Sequence, residues 1–320
     1  MSYTADPTDP TMPTPGAGAG YMYLELQALK QYIASLSKFR NLLLNGTFQI
    51  NQSGAVYNLS AGVAQYTVDQ WAMIINAGTA TVTQISAAAF QYLKINLSAA
   101  VTSAALFQSM EAARSGPAAN LTTMTVSGYI NVIPSTGITI TPVLKAATAT
   151  NNFSTVTTVA TGVPIVYTAG TVTYWEQQLT LTADAVAGLQ LVLEISSSET
   201  SSVEIDFWSV QLEYNSFGSP PEIVPYSDDL AACQRFYRVQ TFANTKSMGA
   251  TGGYNQFETF ISGPAMFGTP TVTYFGGTGN TPSAATGFNS AGFYYVQLEF
   301  PITANEILQY SGNVLLTSRL

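Results

Sequence analysis

The stretch Val203–Tyr237, VEIDFWSVQLEYNSFGSPPEIVPYSDDLAACQRFY, places three kinds of local physics in succession. Val203, Ile205 and Phe207 alternate with Glu204, Asp206 and Trp208, the period of two expected of a strand with one face buried. Gly218, Pro220 and Pro221 then stop the strand. Beyond them Ser227 is placed to cap a short helix whose first turn carries Asp228 and Asp229, charges suited to its positive end. That helix would present Leu230, Cys233 and Phe236 or Tyr237 to one side. A β domain therefore ends here, an extended connector follows, and a second domain begins.

Working back toward the amino terminus, short runs rich in Val, Thr, Ile and Tyr recur between Gly, Pro, Asn and Ser clusters from residue 45 to about 215. Among them are TFQIN, QYTVDQWAMII, QYLKINL, LTTMTVSGYINV, TVTYWEQQLTLT and LQLVLEIS. Such spacing without intervening helices predicts a β-sandwich. Ala104–Arg114 also admits a helical reading, and a strand is preferred there. Residues 238–320 repeat the pattern on a smaller scale, in VQTFAN, NQFETFIS, TPTVTYFG, FYYVQLEFPI and NVLLTS, with Gly/Thr/Ser-rich loops expected at 245–254 and 276–292. Thr303–Glu306, TANE, has the form of a capping box.

Ahead of the sandwich, residues 21–44 carry a long helical pattern. Met22, Leu26, Leu29, Ile33, Leu36 and Leu43 follow the spacing of a coiled-coil seam, with Arg40 on the same line. Docking of an ordinary amphipathic helix onto the sandwich would give much the same pattern. The β-branched and Leu seam positions by themselves lean slightly toward a dimer. Residues 1–20 alternate Pro, Thr and Asp and end in GAGAG, a composition that cannot order itself alone. The GAGAG run has neither the preceding strand nor the following Lys of a phosphate loop.

Composition narrows the function. Only 9% of the 320 residues are charged, against about 25% in an ordinary globular chain, so the surface is poor in charge and suits an assembly component. A net charge of −8 opposes nucleic-acid binding, which needs a basic footprint. With no histidine and one cysteine, zinc sites and Ser-His-Asp or Cys-His catalysis are excluded, and no intrachain disulfide is possible. No catalytic residue, cofactor or metal site is expected. Neither an export leader nor a membrane-spanning run is legible, and Asn-x-Ser/Thr sequons such as Asn45 and Asn96 carry no weight.

Glu204 and Asp206 lie on one strand face, their carboxyls roughly 6–7 Å apart, a spacing that invites a glycosidase reading. Without further members of such a site they read as a solvated strand face. Aromatics make up 12% of the chain, and rings beside amides suit sugar contact. In the distal region the candidates are the loop aromatics Tyr254, Phe275 and Phe288 with Asn280 and Asn289. On the larger domain Trp71, Trp175 and Trp208 are the candidates for a platform, although Trp71 lies among core-type residues.

Three segments carry a resemblance to bacteriophage tail-fibre and related virion proteins. Gln211, Leu212 and Glu213, followed by Pro225, Leu230, Cys233, Gln234, Arg235, Phe236 and Tyr237, match one recurring pattern. Asn41–Gln52, NLLLNGTFQINQ, with Tyr66–Trp71, YTVDQW, match a second. GTPTVTYFG at residues 268–276 and the closing LLTSRL resemble the distal domain of the same proteins. The matches come in the family's order and cover roughly residues 40–320.

The resemblance implies a mainly β chain: an anchoring arm at 1–20, a trimerising helix at 21–44, a carbohydrate-binding-module-like jelly roll at 45–219, a connector and linker helix at 220–237, and an antiparallel β-sandwich tip at 238–320. It further implies a non-enzymatic homotrimer on the virion, tied to other virion proteins through residues 1–20. Such a fibre would attach the particle to host-surface polysaccharide or protein, with no nucleic acid and no membrane insertion. A head-fibre, capsid-decoration or collar component without receptor duty is the alternative.

Overall fold

The computed structural model describes residues 40–54, 56–87, 90–115, 123–133, 137–247, 253–261, 271–279, 284–290, 293–302 and 307–317. Two six-stranded antiparallel sheets make a jelly-roll β-sandwich. The first runs, in spatial order, β1 (Tyr57–Ser60), β4 (Thr79–Ala87), β5 (Phe90–Leu97), β12 (Val203–Glu213), β7 (Thr123–Ile133) and β10 (Thr173–Thr180). The second runs β2 (Gln65–Tyr66), β3 (Ala72–Ile75), β6 (Ser103–Glu111), β11 (Gly188–Ser197), β8 (Ile138–Ala149) and β9 (Asn152–Thr161). Their facing sides share one apolar core, to which Leu189, Leu191, Leu193 and Ile195 of β11 and Val203, Ile205 and Phe207 of β12 contribute. Alternation along these strands drives the arrangement, since each inward side chain gains roughly 1.5–3 kcal/mol by leaving water.

Ala104–Arg114 forms most of β6 and then a single helical turn, α1 (Ala112–Ser115). TFQIN is not a strand. Asn45 and Phe48 adopt left-handed φ values of 51° and 57°, and the chain coils on itself there. The Asn45 side chain holds the coil together. Its Nδ2 donates to the Ile50 and Asp69 carbonyls at 2.8 and 3.0 Å, its Oδ1 accepts from the Ile50 N–H at 2.8 Å, and its own carbonyl takes the Trp71 indole N–H at 3.1 Å.

Leu43, expected on the helical seam, instead lies in the sandwich core at 4% exposure, and residues 40–44 are not helical. Asn41 explains this, because its side chain bridges β12: Nδ2 donates to the Val210 carbonyl and Oδ1 accepts from the Leu212 N–H, both at 3.0 Å. The segment is thereby drawn onto the sheet rather than into a helix. Met22, Leu26, Leu29, Ile33 and Leu36 fall outside the described residues, as does the arm at 1–20.

After β12 the connector leads to α2 (Tyr226–Cys233). Cys233 and Phe236 pack with Leu44 and Ile50 in a small second core, with Leu230 against it. Ser227 does not cap α2, whose capping position is Pro225 with no side-chain hydrogen bond. Asp229 is buried and accepts the Asn45 N–H and Gln49 Nε2, each at 3.0 Å. It serves as a tie to the jelly roll as well as a first-turn acid. Arg235 adds a second tie, its guanidinium reaching Glu111 at 2.9 Å.

Beyond α2 lie two three-stranded antiparallel sheets. One is β13 (Tyr237–Ser247), β18 (Ile307–Thr317) and β15 (Thr271–Gly279); the other is β14 (Gly253–Ile261), β17 (Phe293–Ile302) and β16 (Ala284–Ser290). β16 replaces part of the expected 276–292 loop.

Candidate functional site

The strongest site lies on the outer face of the first sheet, where strand alternation is deliberately broken. Val203, Ile205 and Phe207 point inward, as do Val210 and Leu212, so the inward set changes parity between 207 and 210. The register of β12 against β7 slips at this point, between Phe207 and Ser209. A β-bulge of this kind bends its strand and re-aims side chains. Here it turns both Trp208 and Ser209 to the outer side, where they line a groove. Gly128 of β7, paired with Val210 of β12, makes the bulge possible. Any Cβ at that position would collide with the Ser209 carbonyl.

Four aromatic rings follow across four adjacent strands. Trp208 stacks on Tyr92 of β5, with centroids 5.0 Å apart and planes 25° from parallel. Tyr129 of β7 lies opposite Ser209, and Tyr174 of β10 tilts against Tyr129 with centroids 5.2 Å apart. With strands about 4.8 Å apart, the row spans roughly 14 Å.

A groove along three of these rings, Tyr92, Trp208 and Tyr129, encloses about 640 Å³. Its apolar wall is Val172 together with Pro221, Ile223 and Val224 of the connector, and Ile223 is 90% exposed. Thr47, Gln49, Gln91 and Ser209 supply its polar atoms beside the tyrosines, and among the described residues no charged side chain lines it.

The connector wall is fixed by side chains of β12. Gln211 accepts the Glu222 N–H at 2.6 Å and donates to the Ser219 carbonyl at 3.0 Å. Glu213 accepts the Ser219 N–H at 3.0 Å and also its hydroxyl. Gln49 donates to the Val224 carbonyl at 3.0 Å. The Gln211-Leu212-Glu213 run thus has a physical role, holding the wall in place before any ligand arrives.

One row further along the same face, Lys94, Asp206 and Asn131 stand in register on β5, β12 and β7. Lys94 pairs with Glu204 at 2.9 Å. Asp206 is 4% exposed, which corrects its reading as part of a solvated face. Its Oδ2 accepts from Asn131 Nδ2 at 3.3 Å, while its Oδ1 and Asn131 Oδ1 have no hydrogen-bond partner among the described residues. Burial above all, with help from the Glu204 charge, pushes the Asp206 carboxyl up to about 6 against the opposing pull of Asn131 and Lys94. At the far end of the ring row, Tyr174 donates to Glu176 at 2.8 Å. Burial and that carboxylate push its phenol up to about 12.

Of the tryptophan platform, Trp71 and Trp175 belong to the core at 0% and 4% exposure; Trp208 alone reaches the groove. The distal candidates are not in loops. Tyr254, Phe275 and Phe288 lie on β14, β15 and β16, paired with Pro301, Asn313 and Tyr295, and Asn289 is paired with Tyr294. Asn280 lies outside the described residues. The missed groove had one visible signal, the parity change of the apolar set across Phe207–Val210.

No family model matches the sequence, and no curated protein matches it. Several solved structures are similar in shape. A protein of Bacteroides thetaiotaomicron, proposed to bind sugar, aligns at 14% identity and a TM-score of 0.36, over 54% of this chain and 99% of its own. The enzymatically active domain of tailspike protein 4 from bacteriophage CBA120 aligns at 12% identity and 0.33, over 55% of this chain and 22% of its own. A xylan-binding domain of Paenibacillus barcinonensis aligns at 11% identity and 0.29, over 51% and 94%.

Proposed function

We propose that the protein binds glycans in the groove on the outer face of the first sheet, without cleaving them, and that it does so as a homotrimeric phage virion fibre attaching the particle to the host surface. The observation that carries the binding reading is the aromatic row: Tyr92, Trp208 and Tyr129 line a preformed groove beside amide and hydroxyl groups, and Tyr174 continues the row beyond it. Sugar rings offer apolar C–H faces to aromatic planes and hydroxyls to amides, and a groove of this volume suits several units of a chain.

A binding role without cleavage is supported by the lining itself. Glycoside hydrolysis needs a pair of acids flanking the scissile bond, whereas the lining among the described residues is uncharged and Glu204 is tied to Lys94. The fibre role is supported by the three ordered segments that resemble virion fibres. Trimerisation through residues 21–44, anchoring through residues 1–20, and further glycan contact at Tyr254, Phe275, Phe288, Asn280 and Asn289 belong to the same proposal. Valency would multiply weak single-site contacts.

A glycan microarray probed with the full chain and with Trp208→Ala, both checked for unchanged melting, tests the binding reading. Binding lost in the variant supports it, and equal binding by both proteins refutes it. Light scattering tests the trimer.

A further inference from the structure

We infer that the protein has a second glycan-binding groove, on the outer face of the second sheet, which holds a stretch of roughly two or three sugar units between Tyr66, Phe107 and Phe153. It lies on the opposite side of the sandwich from the first groove, and neither site depends on the other.

Strand chemistry makes the hollow. Phe107 and Ser109 of β6 and Gln190 of β11 take the outward positions of their strands, between Leu106, Met110, Leu189 and Leu191 of the core. Tyr66 of β2 pairs with Ala72 of β3, which pairs in turn with Phe107. Two strand spacings set the backbones of these two aromatics roughly 10 Å apart, and the alanine between them fills little of the gap. Together with Phe153 they line a groove of about 480 Å³.

The far wall is the turn between β8 and β9, and it is fixed before any ligand arrives. Asn151 adopts a left-handed φ of 56°. Its N–H donates to the Ala187 carbonyl at 2.7 Å, and its Oδ1 accepts the Ala112 N–H at 2.6 Å. Phe153 then rests on Gly188 of β11, where a Cβ would come within 2.8 Å of the ring. The glycine, at a φ of 136°, allows both the chain's path and the seating of the ring. An aromatic held in this way has little freedom left to lose on binding.

Polar groups that solvent reaches surround the rings. Asn152 and Ser154 are exposed and line the groove. Asn152 Oδ1 accepts the Ser154 N–H at 3.0 Å, which leaves its amide nitrogen to donate. Half-buried Ser109 accepts from Gln190 Nε2 at 3.0 Å and keeps its own proton to give. Aromatic planes beside amides and hydroxyls in a concave site match the two kinds of surface that a sugar presents. A second copy of the chain fits less well. In the position next to Gln190 the same face carries Lys145, paired with Glu194 at 3.0 Å, so the apolar surface stops at the rim instead of spreading into the core of an interface.

The test uses the full chain, Trp208→Ala, Phe107→Ala and the double variant, each checked for unchanged melting. The array carries xylan, mixed-linkage glucan, galactomannan, arabinogalactan, alginate and polysialic acid. Part of the parent's binding should survive Trp208→Ala and fall by about 10-fold or more when Phe107→Ala is added. Phe107→Ala alone should spare the polymers that Trp208→Ala loses. Should Phe107→Ala fail to fold, Asn152→Ala, at an exposed position, is expected to weaken the surviving binding about 3- to 10-fold.

No binding by Trp208→Ala, or surviving binding that neither Phe107→Ala nor Asn152→Ala alters, would overturn the second site and leave the first standing. Binding untouched by Trp208→Ala and lost in Phe107→Ala would do the reverse. A parent that binds none of the polymers would overturn both. A changed oligomeric state in Phe107→Ala, with its glycan binding intact, would overturn the inference and make this face a contact between copies of the chain.

Discussion

Tyr92 and Trp208, 116 residues apart in sequence (208 − 92), stack on neighbouring strands with centroids 5.0 Å apart. The tryptophan reaches its partner because β12 bulges at that residue. A shift of one residue in the chain's pairing thus converts a run of core strand into one wall of the groove.

Removing either ring should therefore weaken glycan binding more than it weakens the fold. Trp208→Ala and Tyr92→Ala are each expected to lower affinity about 10- to 100-fold, equivalent to about 1.4–2.7 kcal/mol. The double variant should lose less than the sum, since each ring positions the other. Titration calorimetry with a bound oligosaccharide measures all three.

Gly128→Ala should act at a distance from any ligand. The added methyl meets the Ser209 carbonyl, a backbone atom that cannot swing away. A loss of about 1–3 kcal/mol in urea unfolding is expected, together with loss of groove binding in whatever protein remains folded.

Asp206 gives the molecule a pH dependence with a definite sign. Its folded carboxyl titrates near 6 instead of the usual 3.8, so between those values the folded state holds a proton that the unfolded state has released. Its contribution to stability is complete below about pH 4 and is lost as pH rises through 6. Asp206→Asn should therefore be more stable than the parent at pH 8 by about 1–2 kcal/mol, with the advantage gone at pH 4. Urea midpoints at the two pH values check this, and an advantage larger at pH 4 would contradict the assignment.

Asn45→Ala removes three side-chain hydrogen bonds to buried backbone groups and leaves alanine at a φ of 51°. A destabilisation of about 2–4 kcal/mol is expected in chemical denaturation. Because Asn45 also donates its N–H to Asp229, the α2 junction should become more sensitive to proteolysis in the same variant.

Much of the fold could be read from alternation, and the failures have identifiable causes. Strand β12 and the apolar face of α2 followed directly from the spacing of Val203 to Phe207 and of Leu230 and Cys233, while Phe236, expected on the same helix, joins that small core from the turn just past its end. β9 and β16 escaped because Asn152–Thr161 and Ala284–Ser290 are mostly Thr, Ser, Ala, Gly and Asn, which also compose loops, with only Phe153, Val156, Val159 and Phe288 among them to mark a strand. Leu43 was misplaced because a short run of leucines fits a helical seam as readily as a core. Asn41, whose bonds to β12 decide the matter, announces nothing by itself. The candidate groove was the least legible feature, since Tyr92, Tyr129, Tyr174 and Trp208 come from four separate strands and only pairing brings them into a row. The tryptophans illustrate the limit: Trp71, Trp175 and Trp208 are the same residue type, yet two fill the core and one meets solvent.

The central claim is that a glycan lies along the outer face of the first sheet, and a crystal structure of the full chain with a bound oligosaccharide tests it most directly. The predicted result is sugar density over Tyr92, Trp208 and Tyr129. Sugar bound only elsewhere on the molecule, with the groove empty or filled by a neighbouring copy, would contradict it.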